Sequence, residues 1–233
     1  MSGRTEPDWR WNEFRQVGTD YEDVAEVEAY DRRMGTFRDV DAENRSMLAM
    51  LALPPGSAVL EIGCGTGRFA RAAAAAGMKV AVADVSKIML DYVADRSWKD
   101  NLPEIAVQHS GFLTLDFPAA SFDAAVSGAA LHHLPDAWKY VGLLNVARIL
   151  KPGGRFILRD VVFMVKDGES PETIFEGFSG GFPAMRAEAA RHVASEFSTY
   201  DWILEGLLAR VGVEILSAEK PNAAFAVYHC RKR

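Results

Sequence analysis

The chain holds 233 residues, 49% of them hydrophobic, enough for one compact domain with a real core and a small cap. Its 26 basic residues stand against 32 acidic ones, and a net charge of −6 argues against nucleic acid or an anionic membrane as the main partner. Cys64 and Cys230, the two cysteines, form neither a disulfide framework nor a zinc spacing. A reducing compartment fits them, and the polar, acidic N-terminus carries no apolar signal core, so the expected location is the cytoplasm. No run is long and apolar enough to span a membrane.

In chain order, residues 1–50 read as a helical extension carrying Trp9, Trp11, Phe14, Tyr21 and Tyr30. From about residue 56, strand and helix signals alternate. Strands are expected at Ala58–Ile62, Lys79–Ala83, Ile105–Gln108, Phe122–Ser127 and Arg155–Val162. Helices are expected at Arg68–Ala76, Ser86–Arg96 and Ala137–Leu150, with Ser86 as an N-cap. Lys151-Pro152-Gly153-Gly154 reads as a helix stop and turn. Residues 166–197 look like an insertion with Gly177, Gly180 and Gly181, then a helical stretch around Ala184–Ser195. A helix over Ser198–Val211 and a hairpin of Val213–Glu219 with Ala223–His229 close the chain. Such alternation implies a mostly parallel, doubly wound α/β sheet with ligands at its carboxyl edge.

The turn after the first strand carries the chemistry. Val59-Leu60-Glu61-Ile62 runs into Gly63-Cys64-Gly65-Thr66-Gly67 and opens an alanine-rich helix. A dinucleotide fingerprint would have its third glycine one position later, where Arg68 stands. Glu61 would repel a pyrophosphate, whereas a ligand carrying a sulfonium and an ammonium would welcome it. Asp84, 21 residues after Gly63, ends the second strand where a carboxylate can accept two ribose hydroxyls. Adenosine with a positive charge at its 5′ end suits both acids. Cys64, inside the turn, reads as a small filler because no base stands beside it.

With these residues in view, the segment from about Leu53 to Val162 resembles class I S-adenosylmethionine-dependent methyltransferases. It is most similar to the small-molecule branch that includes the ubiquinone and menaquinone enzymes and the type 11 methyltransferases. The first motif is Val59 to Gly67, and Asp84 in Val82-Ala83-Asp84-Val85-Ser86 resembles the ribose-binding acid. Ser121-Phe122-Asp123 through Ala130-Leu131-His132-His133-Leu134-Pro135-Asp136 resembles the fourth-strand motif. Leu150-Lys151-Pro152-Gly153-Gly154-Arg155-Phe156 resembles the one before the fifth strand. The resemblance implies a seven-stranded sheet of order 3-2-1-4-5-7-6, last strand antiparallel, with a helical N-terminal cap (1–50), cofactor core (51–165), lid insertion (166–197) and helix with terminal hairpin (198–233) in one domain. It implies S-adenosyl-L-methionine as cofactor and S-adenosyl-L-homocysteine as product. Glu61, Gly63, Gly65 and Gly67 would surround the methionine part, Asp84 the ribose, and Val85 and Met89 the adenine. Many relatives place an aspartate by the adenine amino group; Gly111 stands in its place, leaving backbone and Phe112 to meet that edge.

Methyl transfer from a sulfonium needs alignment above all, and a base only for a protonated acceptor such as a phenol or alcohol. His132 and His133, after the fourth strand, and Asp160, late in the fifth, are the candidate catalytic residues. Each has a plainer reading: a structural hydrogen-bonding histidine for either His, and pairing with Arg159 or a loop amide for Asp160. Adjacent histidines on an extended stretch point apart, which argues against a shared metal, and no metal set is identified. Tyr21, Tyr30 and Tyr200 either line the cap or pack in the core. Arg32-Arg33 either reach the cofactor carboxylate or lie on a solvated helix face, and Trp138, spaced helically with Val141 and Leu144, reads as core. Phe175, Phe178, Phe182 and Met185 in the insertion point to a small, partly apolar acceptor, and the aromatic extensions are compatible with homodimer contacts. Two other readings stay open: a cofactor-binding sensor without transfer activity, and an NAD-linked oxidoreductase, which Glu61 and the shifted third glycine oppose.

Overall fold

A computed structural model describes residues 9–15, 27, 39–166, 168–180, 186–222 and 224–233. Tyr21, Tyr30, Arg32, Arg33, Phe182 and Met185 lie outside the described residues. Helix α1 spans Val40–Leu51, so the extension is helical there, whereas Trp9–Arg15 follow turns and extended chain rather than a helix.

The core then alternates β1 (Ala58–Ile62), α2 (Arg68–Ala75), β2 (Lys79–Asp84), α3 (Lys87–Lys99), β3 (Ala106–His109) and β4 (Phe122–Gly128). A single 3-10 turn, Leu131–His133, leads into α4 (Asp136–Ile149) and β5 (Leu150–Phe163). Beyond it come α5 (Pro171–Gly180), α6 (Arg186–Ser195), β6 (Thr199–Tyr200), α7 (Asp201–Arg210), β7 (Val213–Asn222) and β8 (Phe225–Lys232). The sheet order β3-β2-β1-β4-β5-β8-β7 is the expected one, with β8 antiparallel to both β5 and β7.

Three local readings are corrected. An eighth strand, the two-residue β6, pairs with β5 off the main path, so Thr199–Tyr200 are extended and α7 starts at Asp201. The insertion holds a second helix, α5, containing Gly177 and Gly180. The Lys151–Gly154 turn is absorbed into β5 as an irregularity: the pairing with β4 jumps from Phe122–Leu150 to Ala124–Arg155, and Gly153 takes φ +75°. Ser86 does cap α3, its hydroxyl accepting from Met89 N at 3.3 Å.

Two-residue alternation along the strands sorts side chains between two apolar layers. Leu60, Ile62, Ala81, Ala83, Phe156 and Leu158 face α4 and α7, while Val59, Val80, Val82, Val126 and Ile157 face α1, α2 and α3. Each fully buried Leu, Ile or Phe contributes roughly 1.5–3 kcal/mol of transfer free energy. In α2 the buried Ala70, Ala73 and Ala74 let the helix lie close on the sheet. Trp138 is half-buried and, with Val141, packs against this core, whereas Leu144 is 41% exposed. Among the described residues no helix is long and apolar enough to cross a membrane.

Candidate active site

At the carboxyl ends of β1, β2 and β4, where the strand order reverses, lies a cleft of about 900 Å³, its solvent mouth included. An α/β sheet places its ligands in this crevice. Gly63, Gly65, Asp84, Val85, Met89, Phe112 and His133 line it, as do Glu13, Ser86, Gly111 and Ala129 among others. Glu61, Gly67, His132 and Asp160 are not in its wall.

The glycine turn is held from below. Gly63 has φ +69°, and a Cβ there would stand 2.3 Å from the Ala130 Cβ, so the loop after β4 presses directly on the turn. Gly67, at φ +68°, begins α2 against Val93, which a Cβ would meet at 2.5 Å. Both places admit only glycine without rearrangement. The buried Asp84 carboxylate accepts from Gly65 N through Oδ2 and from Ser86 N through Oδ1, each at 2.9 Å. Burial raises its pKa, and the two N–H donors partly offset that. A carboxylate has about four acceptor positions, so both oxygens keep capacity toward the cleft for a pair of hydroxyls.

Glu61 shares the face of Val59 and therefore turns toward α2, where its Oε2 accepts from Ala70 N at 3.0 Å. It caps the first turn of that helix from beneath the glycine turn and is not part of the cleft wall. Burial lifts its pKa to about 8 despite the Ala70 bond, and Asp84 adds repulsion. An unfolded glutamate ionises near 4.5. Between these values the folded chain keeps a proton that the unfolded chain releases, so stability falls as pH rises through that window. Urea unfolding at pH 5.5 and 8 should show a decline in the ligand-free protein, on the order of a few kcal/mol, that is clearly smaller in Glu61→Gln. Equal pH dependence in the two proteins would contradict the assignment.

The adjacent histidines, expected to point apart on an extended stretch, lie instead in a 3-10 turn with their ring centroids 4.4 Å apart, and one of the two lines the cleft. His133 faces the cleft. Burial, then the charge on His132, pushes its pKa down to about 4, so it stands neutral. His132 turns inward to Asp160, which sits with Phe156 and Leu158 on the α4-facing side of β5. Asp160 Oδ1 lies 2.5 Å from His132 Nδ1, and Oδ2 accepts from His132 N at 3.1 Å. Arg159, on the opposite face, reaches Glu43 instead. His132 Nε2 lies 3.1 Å from Glu196 Oε2, and the same oxygen is 2.7 Å from His192 Nδ1. Burial alone would depress His132, but Asp160 and then Glu196 lift it to about 9. Glu196 is held well below the usual carboxylate range: its bonds to His132 and His192 outweigh its burial.

Two side chains on elements around the cleft, Glu13 and Lys139, had no legible sequence signal. The Trp9–Arg15 segment straps the cleft: Trp9 stacks on Trp138 (6.1 Å), Trp11 meets Phe197 edge-on (5.3 Å), and Arg10 Nη2 donates to Leu113 O at 2.5 Å. Within it, Glu13 accepts from Leu113 N, Thr114 N and the Thr114 hydroxyl at 2.7–2.9 Å. Burial nonetheless raises its pKa. The second side chain is the buried Lys139, whose ammonium donates to Leu134 O, Asp136 and Phe197 O and pins the end of the insertion beside His132. Tyr200 packs against Phe163 (6.4 Å) and lies outside the cleft wall, and Cys64 is a buried thiol that burial pushes well up in pKa, as a filler would be.

Residues 60–158 match the family described as "Methyltransferase domain". The 27-O-demethylrifamycin SV methyltransferase of Amycolatopsis mediterranei is 32% identical over 138 residues, covering 58% of this chain and 50% of that protein. An S-adenosyl-L-methionine-dependent Diels-Alderase of Talaromyces variabilis is 38% identical over 118 residues, covering 49% and 40%. The chain thus spans half or less of the length of these two relatives. The crystal structure of a SAM-dependent methyltransferase from Aquifex aeolicus shares the fold, with a TM-score of 0.65 at 17% identity over 91% of this chain and 99% of that one.

Proposed function

Because the chain belongs to the class I S-adenosylmethionine-dependent methyltransferases, we propose that it transfers a methyl group from that cofactor to a small, partly apolar acceptor. The reading treats the chain as one domain: a cofactor core at 51–165, crossed by the N-terminal strap and flanked by the 166–197 insertion. The observation that carries it is the convergence of Gly63, Gly65, Asp84, Val85, Met89 and Phe112 on one cleft.

Those residues fit the cofactor chemically. Asp84 offers free acceptor capacity for two ribose hydroxyls. Val85, Met89 and Phe112 offer apolar faces for a purine, and the turn is glycine where a bulkier group would intrude. When bound, the cofactor would supply an activated methyl group on a sulfonium, with a neutral thioether as its leaving group. The chain supplies alignment. His133, neutral and facing the cleft, orients an acceptor hydroxyl or takes its proton, while His132, clamped by Asp160, is a positioning residue behind it. Glu61 lies beneath the turn, where a bound cation would favour its ionised form and be held in turn by that charge at short range. The Diels-Alderase relative favours a second reading, in which the cofactor is bound and a cyclisation runs in the same cleft without transfer.

Thermal melts provide the test. S-adenosylmethionine and S-adenosylhomocysteine should raise Tm in a dose-dependent way, because a ligand that binds only the native state stabilises it, and NAD and NADP should not. Stabilisation by NAD alone would overturn the cofactor assignment. With methyl-labelled cofactor and a panel of phenols, alcohols and amines, label should pass to an acceptor. A cofactor-dependent cyclisation with no label transferred would favour the second reading.

A further inference from the structure

Behind the cleft, three ligand atoms from distant parts of the chain converge. His132 Nε2 comes from the turn after β4, His192 Nδ1 from α6, and Glu196 Oε2 from just past that helix, all within 4.8 Å of one another. His192 and Glu196 are four residues apart, and the Glu196 N–H still donates to His192 O at 2.9 Å, so one helical face presents both. The far nitrogen of each imidazole is already engaged: His132 Nδ1 with Asp160 and His192 Nε2 with Ser198 Oγ at 2.6 Å. These outer contacts orient the rings so that the near nitrogens aim at the same glutamate oxygen. Carboxylate and hydroxyl partners on the back of metal-binding histidines do the same work.

We propose that His132, His192 and Glu196 bind one divalent ion of the zinc class. Two imidazoles and a carboxylate suit zinc and its neighbours, whereas magnesium and calcium select oxygen donors. In a tetrahedral site with bonds of about 2.0–2.1 Å the ligand atoms stand roughly 3.3 Å apart, so the 3.1 and 2.7 Å separations need only a small outward adjustment. Asp160 and Glu196 together balance a dication. The ion would fasten α6 to β5 and to the turn that carries His133, one ring away from His132 at 4.4 Å. Only His132 of this set was a candidate in the sequence, because its two partners lie far downstream in an ordinary helical pattern. The inference is independent of the cofactor assignment.

The whole chain, stripped with a chelator, should take up one equivalent of Co2+, with the intense visible absorption of a four-coordinate site, and Zn2+ should displace it. X-ray absorption on the zinc form should show two imidazole nitrogens and no sulfur. His192→Ala and Glu196→Gln should abolish uptake, and Asp160→Asn should weaken it about 10–100-fold through the lost outer contact. Each variant is first checked for a cooperative melt, with His192→Gln replacing any His192→Ala that does not fold. The proposal is overturned by wild-type protein with no saturable cobalt binding below about 100 μM, by a sulfur ligand, or by uptake undiminished in a folded His192 variant.

Discussion

Asp84→Ala is expected to lower the affinity for S-adenosylhomocysteine about 100-fold or more. The carboxylate has two duties that one substitution removes together. Its oxygens tie Gly65 N and Ser86 N at 2.9 Å, joining the glycine turn to the start of α3. Their remaining lone pairs are the acceptors proposed for the ribose. A hydrogen bond to a charged group is worth about 1.5–3 kcal/mol, so losing two toward the ligand corresponds to at least a hundredfold in Kd. Slackening of the turn adds to the loss. Asp84→Asn separates the duties: its amide keeps one acceptor oxygen, so it should retain more of the folding stability than of the affinity. Calorimetric titration of both variants, beside their melting temperatures, measures the split. An Asp84→Ala protein that folds and binds within threefold of wild type would remove Asp84 from the ribose assignment.

What the sequence made legible follows from how local each feature is. Gly63, Gly65, Gly67 and Asp84 belong to one strand-turn-helix-strand unit, where spacing alone fixes relative position, and the turn and strand-end acid lie as expected. Glu61 keeps its expected place in β1. Alternation already put it on the Val59 face, toward α2, and it caps Ala70 rather than lining the cleft. Asp160 and His132 were both candidates, but their pairing depends on which face of β5 meets the 3-10 turn, a tertiary fact. The same face assignment explains why Arg159 pairs with α1 instead. Helix α5 was obscured by Gly177 and Gly180, residues of low helix propensity that tertiary packing overrides here. β6 was missed because two residues carry no periodicity. Glu13 left no trace, since its segment has no repeating pattern and its partners are 100 residues away.

Glu13 carries the other large effect. An ideal Cβ on Gly111 would stand 2.3 Å from Glu13 Oε2, 2.5 Å from its Cδ and 2.9 Å from Val85 Cγ1. The strap's carboxylate thus fills the space that a side chain at 111 would take, in the stretch where many relatives of this family carry an aspartate by the adenine amino group. The inferred exchange is that Glu13 provides from the N-terminal strap the acidic group missing at 111. Glu13→Ala should therefore weaken S-adenosylhomocysteine binding about 10–100-fold, the worth of one charge-assisted hydrogen bond, and should loosen the strap as well. Gly111→Asp alone should also harm binding, because two carboxylates would contest one site and the strap would be expelled. In the Glu13→Ala background the same aspartate meets open space on that side and should recover a good part of the lost affinity. Non-additivity of this sign is the mark of two groups sharing one location. Two results would break the argument: unchanged affinity in Glu13→Ala, or a double variant weaker than Glu13→Ala itself. Recovery of affinity without recovery of melting temperature would further assign the carboxylate to the ligand, and the remaining strap contacts of Trp9, Arg10 and Trp11 to the fold.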